Sequence, residues 1–161
     1  MELLIVIVVI GILAAISLVA FSSVQAKARD VSRISDLKII QKAVESYKAI
    51  NGTYPIGSSG SGAWSGYCPS FGNSTDYIVG IDQVISSQLP LEKKFAPSTN
   101  QCTLYRSNGT DYIALAYRTM ETICGGDPSN ACNSEQIRSM DRASTVAEPT
   151  IAVWSPGGAN W

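Results

Sequence analysis

The chain opens with the stretch MELLIVIVVIGILAAISLVAF (residues 1–21), in which one acid, Glu2, precedes nineteen almost uniformly apolar residues. A helix over that apolar run is about 28 Å long at about 1.5 Å per residue, close to the ~30 Å hydrocarbon thickness of a bilayer. In lipid, a helix satisfies its own backbone groups, whereas a lone strand leaves them unsatisfied. The stretch therefore predicts a transmembrane-length half-helix, suited to a membrane or to a bundle of its own copies.

The predicted helix does not end at residue 21. Apolar residues then recur every three or four positions, which is typical of an amphipathic helix with one buried stripe. No proline or glycine lies between Gly11 and Gly52, and Asn51-Gly52 followed by Pro55 is a typical C-terminal stop. We therefore predict one helix from Leu3 to Ile50.

This pattern divides the chain into an apolar half-helix (residues 1–21), an amphipathic half-helix (residues 22–51) and a globular head (residues 52–161). The amphipathic half is expected to bury its stripe against the head. Charged residues, Asp30 and Arg33 among them, are expected to fill its other faces. The predicted packing stripe consists of Val24, Ala28, Val31, Ile34, Leu37, Ile40, Val44 and Tyr47.

The composition excludes several classes of function. Residues 22–51 carry six basic and three acidic side chains, a net charge of +3. Residues 52–161 carry six basic and nine acidic side chains, a net charge of −3. With Glu2, the chain has a net charge of −1. This balance does not suggest a nucleic-acid partner. The chain has no histidine, the commonest general base and zinc ligand, and its serines lack a nucleophile-elbow motif. We expect neither an enzyme nor a bound cofactor.

Three consecutive segments resemble the start of a type IV pilin or of a type II secretion pseudopilin. They are ELLIVIVVIGILAAI, the amphipathic helix that follows, and YKAINGTYP. The resemblance covers Glu2 to about Pro55, roughly a third of the chain. It implies a pilin-like α+β fold, in which the long helix packs on a small antiparallel sheet.

The resemblance also implies a function, that of a structural subunit of an extracellular filament. Such proteins are held in the inner membrane, trimmed by a prepilin peptidase, methylated at the new N-terminus and then assembled through their apolar helices. Glu2 matches the family's acid, which pairs with the terminal amine of a neighbouring subunit. Because a carboxylate buried alone is costly, we expect Glu2 to set the assembly register, with Gly11 as a weak point of the helix. The expected partners are copies of this chain, and the expected location is the bacterial membrane and then the cell surface.

Two features depart from the family pattern. Met1 directly precedes Glu2, without a leader or the residues that normally separate the cleavage site from the acid, so we expect a truncated or re-started sequence. Val19 stands where many members have a proline that marks a kink, so we predict a straighter helix there.

Other interpretations remain open. A pseudopilin or a minor pilin of a secretion or DNA-uptake apparatus has the same kind of helix. A cleaved signal peptide has a basic region before its apolar run, whereas the residue that precedes the apolar run here is the acid Glu2. A membrane-tethered extracytoplasmic binding domain uses the helix only as an anchor, and it leaves Glu2 without a role.

The head is predicted to begin with a surface loop and to contain a sheet. Residues Ile56–Ser74 are rich in Gly and Ser, which predicts a surface loop without a strand. Ile81–Leu89 is predicted to form a short helix. Asn108-Gly109 is a strong hairpin signal between two apolar runs. Three antiparallel strands are predicted, at Cys102–Arg106, Asp111–Thr119 and Thr150–Trp154.

The four cysteines all follow residue 60, and none has CxxC spacing. The lack of CxxC spacing argues against a zinc site, and the even number favours two disulfides in an oxidising compartment over four reduced, buried thiols. We favour Cys124–Cys132, which closes a short turn-rich loop, and Cys68–Cys102, which ties the Gly/Ser-rich loop to the hairpin. Two other connectivities remain open.

Four oxygen-bearing side chains lie within residues 127–135, on either side of Cys132. The resemblance makes this cluster worth naming, because some pseudopilins bind calcium in the head. The cluster lacks the spacing of a known calcium loop, and we interpret it as a solvated turn without a metal. Its members are Asp127, Asn130, Asn133 and Glu135.

Overall fold

A computed structural model describes residues 2–86, 88–92, 94, 101–122 and 150–158, with the backbone alone at residues 2–4, 15 and 17–20. The chain is α+β, with a long N-terminal helix and a small antiparallel sheet, as predicted. The elements are α1 (Glu2–Asn51), β1 (Ser65–Gly66), β2 (Cys102–Ser107), β3 (Tyr112–Tyr117) and β4 (Ile151–Trp154), with single 3₁₀ turns at Pro69–Phe71 and Ile81–Gln83.

Helix α1 is 50 residues long and runs without a break through Val19. At about 1.5 Å per residue it spans about 75 Å. It ends one residue later than predicted, where Gly52 adopts φ 79° and its N–H donates to the Lys48 carbonyl at 2.8 Å. Glycine tolerates this left-handed conformation, so the predicted stop signal works as a C-terminal cap.

The described strands form one antiparallel sheet in the order β1-β2-β3-β4. The predicted hairpin is present, and Ser107 pairs with Tyr112 beside the turn. The side-chain oxygen of Asn108 accepts the N–H groups of Thr110 and Asp111 at 2.9 and 2.8 Å. This Asx-type turn fixes the register of the two central strands.

Strand β3 is buried on both faces of the sheet. Side chains alternate between faces along a strand, and all six residues of β3 are buried. Helix α1 covers the face that contains Tyr112, Ala114 and Ala116. The Gly/Ser-rich loop covers the opposite face, where Trp64 and Phe71 pack against Ile113, Leu115 and Tyr117.

The Gly/Ser-rich loop was predicted to contain no strand, and this prediction was wrong. Ser65 and Gly66 pair with Tyr105 and Leu104 and add a fourth strand at the edge of the sheet. A Cβ at Gly66 would lie 2.6 Å from the Thr103 carbonyl oxygen, so glycine is required for this close pairing. Gly66 therefore permits this edge strand, because any larger residue would clash with the backbone of β2.

The helix predicted over Ile81–Leu89 was also wrong, because a single 3₁₀ turn at Ile81–Gln83 replaces it. Ile81 and Leu89 are both buried in the core, so tertiary packing overrides the weak helical pattern of this segment. Strand β3 is shorter than predicted and ends at Tyr117, because Arg118 adopts φ 57° and turns the chain.

Candidate assembly surface

The first half of α1 exposes apolar side chains on every side. The six consecutive residues Ile5–Ile10 are each between 48% and 65% exposed. At about 100° per residue, six residues cover more than one full turn of the helix. Further exposed apolar side chains follow at Ile12, Leu13, Ile16, Phe21 and Val24. A continuous apolar surface of this kind is typical of an interaction site.

Two predicted assembly residues lie within this half. Glu2 is the first residue of α1, and its side chain lies outside the described part. Gly11 faces open space, since no atom lies within 4 Å of the position that a Cβ would take.

Among the residues that the structure describes, no helix combines the length and the apolar character needed to cross a bilayer.

The predicted packing stripe divides into two parts. Leu37, Ile40 and Val44 are buried in the core shared with the sheet, and Ile34 and Tyr47 pack against it. Val24, Ala28 and Val31 are exposed, and these three positions do not belong to the packing face.

The helical period explains this correction. At about 100° per residue, the nine residues from Val31 to Ile40 amount to two and a half turns. Val31 and Ile40 therefore lie on opposite sides of α1. A spacing of three or four residues keeps neighbouring members of the stripe on one side of the helix. From Val31 to Ile40, however, every step is three residues, so the stripe rotates to the opposite side.

The helix leaves the head at an ionic cluster formed by Arg29, Asp30, Arg33, Glu92, Lys94 and Glu121. Arg33 lies at its centre and is 6% exposed. Its Nε and Nη2 donate to the two carboxylate oxygens of Glu92 at 2.7 and 3.0 Å, and its Nη1 donates to Glu121 at 2.9 Å. The paired geometry on Glu92 is the strong bidentate form of this contact.

Asp30 is fully buried within the same cluster. Its carboxylate accepts Nη1 of Arg33 at 2.9 Å and the backbone N–H groups of Glu121 and Thr122 at 2.9 and 2.7 Å. It also accepts the Thr122 hydroxyl at 2.7 Å. A buried carboxylate is tolerated when its oxygens are satisfied in this way. Asp30 therefore joins the helix to the backbone that follows β3.

The cluster shifts the pKa values of its members. Hydrogen bonds from Arg29 lower the pKa of the Glu121 carboxyl, and burial partly opposes this effect. Lys94 and Arg33 lower the pKa further, so that it lies well below its ordinary value. Burial alone lowers the pKa of Arg33, but the hydrogen bonds to Glu92, Glu121 and Asp30 outweigh it and raise that pKa overall. Both groups stay charged at neutral pH.

Neither Asp30 nor Arg33 was expected on the buried face, and the prediction that they lie on outer faces was wrong. The sequence does contain a signal for the buried position of these two residues. Asp30 precedes Leu37 by seven residues, and Arg33 precedes Ile40 by seven. Seven residues are close to two helical turns, so both charged residues continue the two buried rows of the helix.

A second set of contacts holds the end of α1. The Tyr54 hydroxyl donates to Glu45 at 3.0 Å, and the Tyr112 hydroxyl donates to the same carboxylate at 3.2 Å. The two rings meet edge to face, with centroids 4.6 Å apart. Burial, together with the Glu45 contact, raises the pKa of Tyr54 to about 12. The helix is therefore fixed to the head at two places about 15 residues apart.

Comparisons with family models, curated proteins and solved structures give no match.

A disulfide joins Cys68 to Cys102, with a Cα–Cα distance of 6.2 Å. This is the bond that the sequence analysis favoured, and it connects the Gly/Ser-rich loop to the first residue of β2. Cys124 and Cys132 lie outside the described residues, so their pairing stays a prediction. The predicted solvated turn also lies outside the described residues, at Asp127, Asn130, Asn133 and Glu135.

The described residues contain no group of three or more His, Cys, Asp or Glu side chains arranged to hold a metal ion. In the described part of the chain, the ionic cluster and the tyrosine contacts are internal links between helix and head. The apolar half of α1, by contrast, directs its side chains outward. The arrangement is therefore suited to binding other molecules through the helix.

Proposed function

We propose that this protein is a structural subunit of a type IV pilus-like extracellular filament, assembled through the first half of α1. The observation that carries the proposal is the apolar circumference at Ile5–Ile10, which is exposed on all sides and continuous with the helix that binds the head. The resemblance of residues 2–55 to pilins and pseudopilins supports the same function.

The physical argument begins with the cost of this exposure. Covering a large apolar side chain contributes about 1.5–3 kcal/mol when burial is complete. Single-chain packing leaves these side chains open, whereas a bundle of parallel copies covers each of them. A contact between two different surfaces of identical subunits can repeat from copy to copy. It forms a ring when the rotation between subunits closes the circle, and a helical filament when it does not.

The ionic cluster suits this function because it fixes the direction of the helix where the helix leaves the head. Arg33 and Asp30 are buried and connected to two separate segments of the head. A rigid junction keeps the angle between helix and head the same in every copy. Subunits of uniform shape are required for a regular helical array.

The resemblance extends the proposal to location and partners. It implies that the subunit lies in the inner membrane before assembly and at the cell surface afterwards, with a prepilin peptidase and an assembly machinery as partners. The same helix also suits a minor pilin or a pseudopilin. A membrane-tethered binding domain is the alternative from another class, in which the exposed apolar half only anchors the head.

The first experiment is electron microscopy of material sheared from producing cells, with gold-labelled antibody against the head. Label along thin filaments is the expected result for a main structural subunit. Label at filament tips indicates a minor pilin. Protein that stays in the membrane fraction, with no labelled filaments, refutes the proposal and favours the tethered domain.

A pair of variants separates a filament helix from an anchor. Replacing residues 3–21 by a leucine run of equal length keeps the length and the apolar character but removes the specific packing surface. We expect this variant to lose filaments while it still fractionates with membranes. Glu2→Gln is the matched single change, and it is expected to reduce incorporation because the paired charge is lost. Normal filaments from both variants contradict the proposed packing and register.

A further inference from the structure

The head carries an exposed acidic segment, residues 76–82, which we call the acidic knob. Val79 at its centre is 55% exposed, and Asp76 and Asp82 at its ends are exposed as well. The knob is anchored by Tyr77, Ile78 and Ile81, which are 0%, 1% and 5% exposed. Its exposed apolar side chain therefore projects from a segment that is held in the core on both sides.

The second half of α1 carries a surface of opposite charge, which we call the basic face. Lys38 and Lys42 are exposed there, four residues apart and on one side of the helix. Val31, 57% exposed, and Ile39, 44% exposed, lie beside them. The basic face thus combines two cations with apolar side chains, as the acidic knob combines two anions with a valine.

These charges have no ionic partner among the described residues. The ion pairs of the described part all belong to the ionic cluster around Arg33. Asp76, Asp82, Lys38 and Lys42 take part in none of them. They are therefore available for a contact between molecules.

The knob cannot reach the basic face of its own chain. The 3₁₀ turn that contains Ile81 lies against α1, and a Cβ at Gly80 would lie 3.4 Å from the Tyr47 ring. Tyr47 follows Lys38 by nine residues, which is two and a half helical turns. The knob and Lys38 are therefore on opposite sides of the same helix, so a knob that docks on the basic face belongs to another copy of the chain.

We infer that the acidic knob of one copy docks on the basic face of a second copy. Asp76 and Asp82 pair with Lys38 and Lys42, and Val79 packs beside Val31 or Ile39. The contact joins two different surfaces of the same chain, so it continues from copy to copy. The inference rests on the proposed function, since it names a side-by-side contact within the filament that is separate from the apolar core. Complementary charges of this kind fix the register between subunits.

The test places a photo-crosslinking amino acid at Val79 of the full chain, in producing cells. Illuminated filaments are expected to contain a covalent dimer, and peptide mass spectrometry is expected to locate the attachment within residues 28–42. The matched control has the same amino acid at Ser61, an exposed residue of the Gly/Ser-rich loop, and is expected to give no attachment in that range. Attachment of Val79 elsewhere in a second copy, or to a different protein, overturns the inference.

Charge exchange tests the pairing itself. Asp76→Lys with Asp82→Lys is expected to lower the yield of the crosslink about tenfold, a factor that corresponds to about 1.4 kcal/mol. Adding Lys38→Glu and Lys42→Glu to that variant is expected to restore the yield. An unchanged yield in the first variant, or no restoration in the second, contradicts the pairing.

A measurement on the otherwise unchanged chain remains if a charge variant does not accumulate. Exposed charge pairs are screened by salt, so the crosslink yield from Val79 is expected to fall as ionic strength rises during assembly. A yield independent of salt overturns the electrostatic part of the inference. Filaments that form normally while the crosslink maps elsewhere refute the knob contact alone, whereas the absence of filaments from the unaltered chain refutes the proposed function as well.

Discussion

Replacement of Arg33 by methionine tests the ionic cluster most directly. Arg33 is 6% exposed and donates to three carboxylates, those of Asp30, Glu92 and Glu121. Methionine keeps much of the apolar stem but removes the cation, which leaves the carboxylates close together. Removing one partner of a buried ion pair costs about 3–5 kcal/mol.

We expect the lower end of that range for Arg33→Met. Arg29 and Lys94 still pair with Glu121 after the change, and Arg29 and Lys94 are partly exposed. A loss of about 3 kcal/mol is then expected, which is a large fraction of the stability of a typical domain. With a urea dependence of about 2 kcal/mol per molar, the unfolding midpoint falls by about 1.5 M.

The measurement is urea unfolding of the full chain in detergent micelles, followed by tryptophan fluorescence, to which Trp64 beside the sheet and Trp154 in β4 contribute. The matched control is Lys38→Met, which removes an exposed cation from the same helix and is expected to change the free energy of unfolding by less than about 0.5 kcal/mol. Equal effects of the two substitutions would refute the reasoning, because the cluster would then behave as a solvent-screened surface network.

Three further predictions concern the head. The folded-state pKa of Glu121 is lowered, so the carboxylate stabilises the fold above its unfolded pKa of about 4.5, and this contribution is lost as the pH falls below that value. In unfolding titrations, the free energy of unfolding should therefore fall less on acidification for Glu121→Gln than for the unaltered chain. The pKa of Tyr54 is raised to about 12, so its contribution is present below about pH 10 and is lost as the pH rises towards 12; ultraviolet titration should show that Tyr54→Phe removes one late-ionising tyrosine, and an unchanged late phase would contradict the assignment. Replacing Cys68 and Cys102 by serine opens a loop of 34 residues and should lower the free energy of unfolding by about 4 kcal/mol, measured by urea unfolding against the same chain with its disulfide intact.

Much of the fold follows from local sequence signals. The uninterrupted run to Asn51 and the Gly52 cap locate the long helix, and Asn108-Gly109 locates the central hairpin. These predictions succeed because a continuous periodic pattern and a specific turn each depend on a few neighbouring residues. The disulfide Cys68–Cys102 was favoured from the layout of the loop and the hairpin, although sequence alone left other pairings open.

The remaining features depend on contacts between distant segments. Strand β1 forms because Gly66 fits against Thr103, and no local pattern in a Gly/Ser-rich loop predicts that approach. The buried position of Asp30 depends on N–H groups of Glu121 and Thr122, about 90 residues away in sequence. The acidic knob was not predicted for the same reason, since its position depends on Tyr77, Ile78 and Ile81, which are buried in the tertiary core.

The disulfide between Cys68 and Cys102 also has a mechanical consequence. It closes a covalent ring around the residues between them, a sequence separation of 34, and the knob lies inside that ring. A pulling force that enters through α1 and leaves through β2 passes across the bond and bypasses the ring. At about 3.5 Å per extended residue, the bond shields roughly 120 Å of chain from extension. A single covalent bond thus limits how far the head can extend under force, and reduction of that bond would increase the maximum extension.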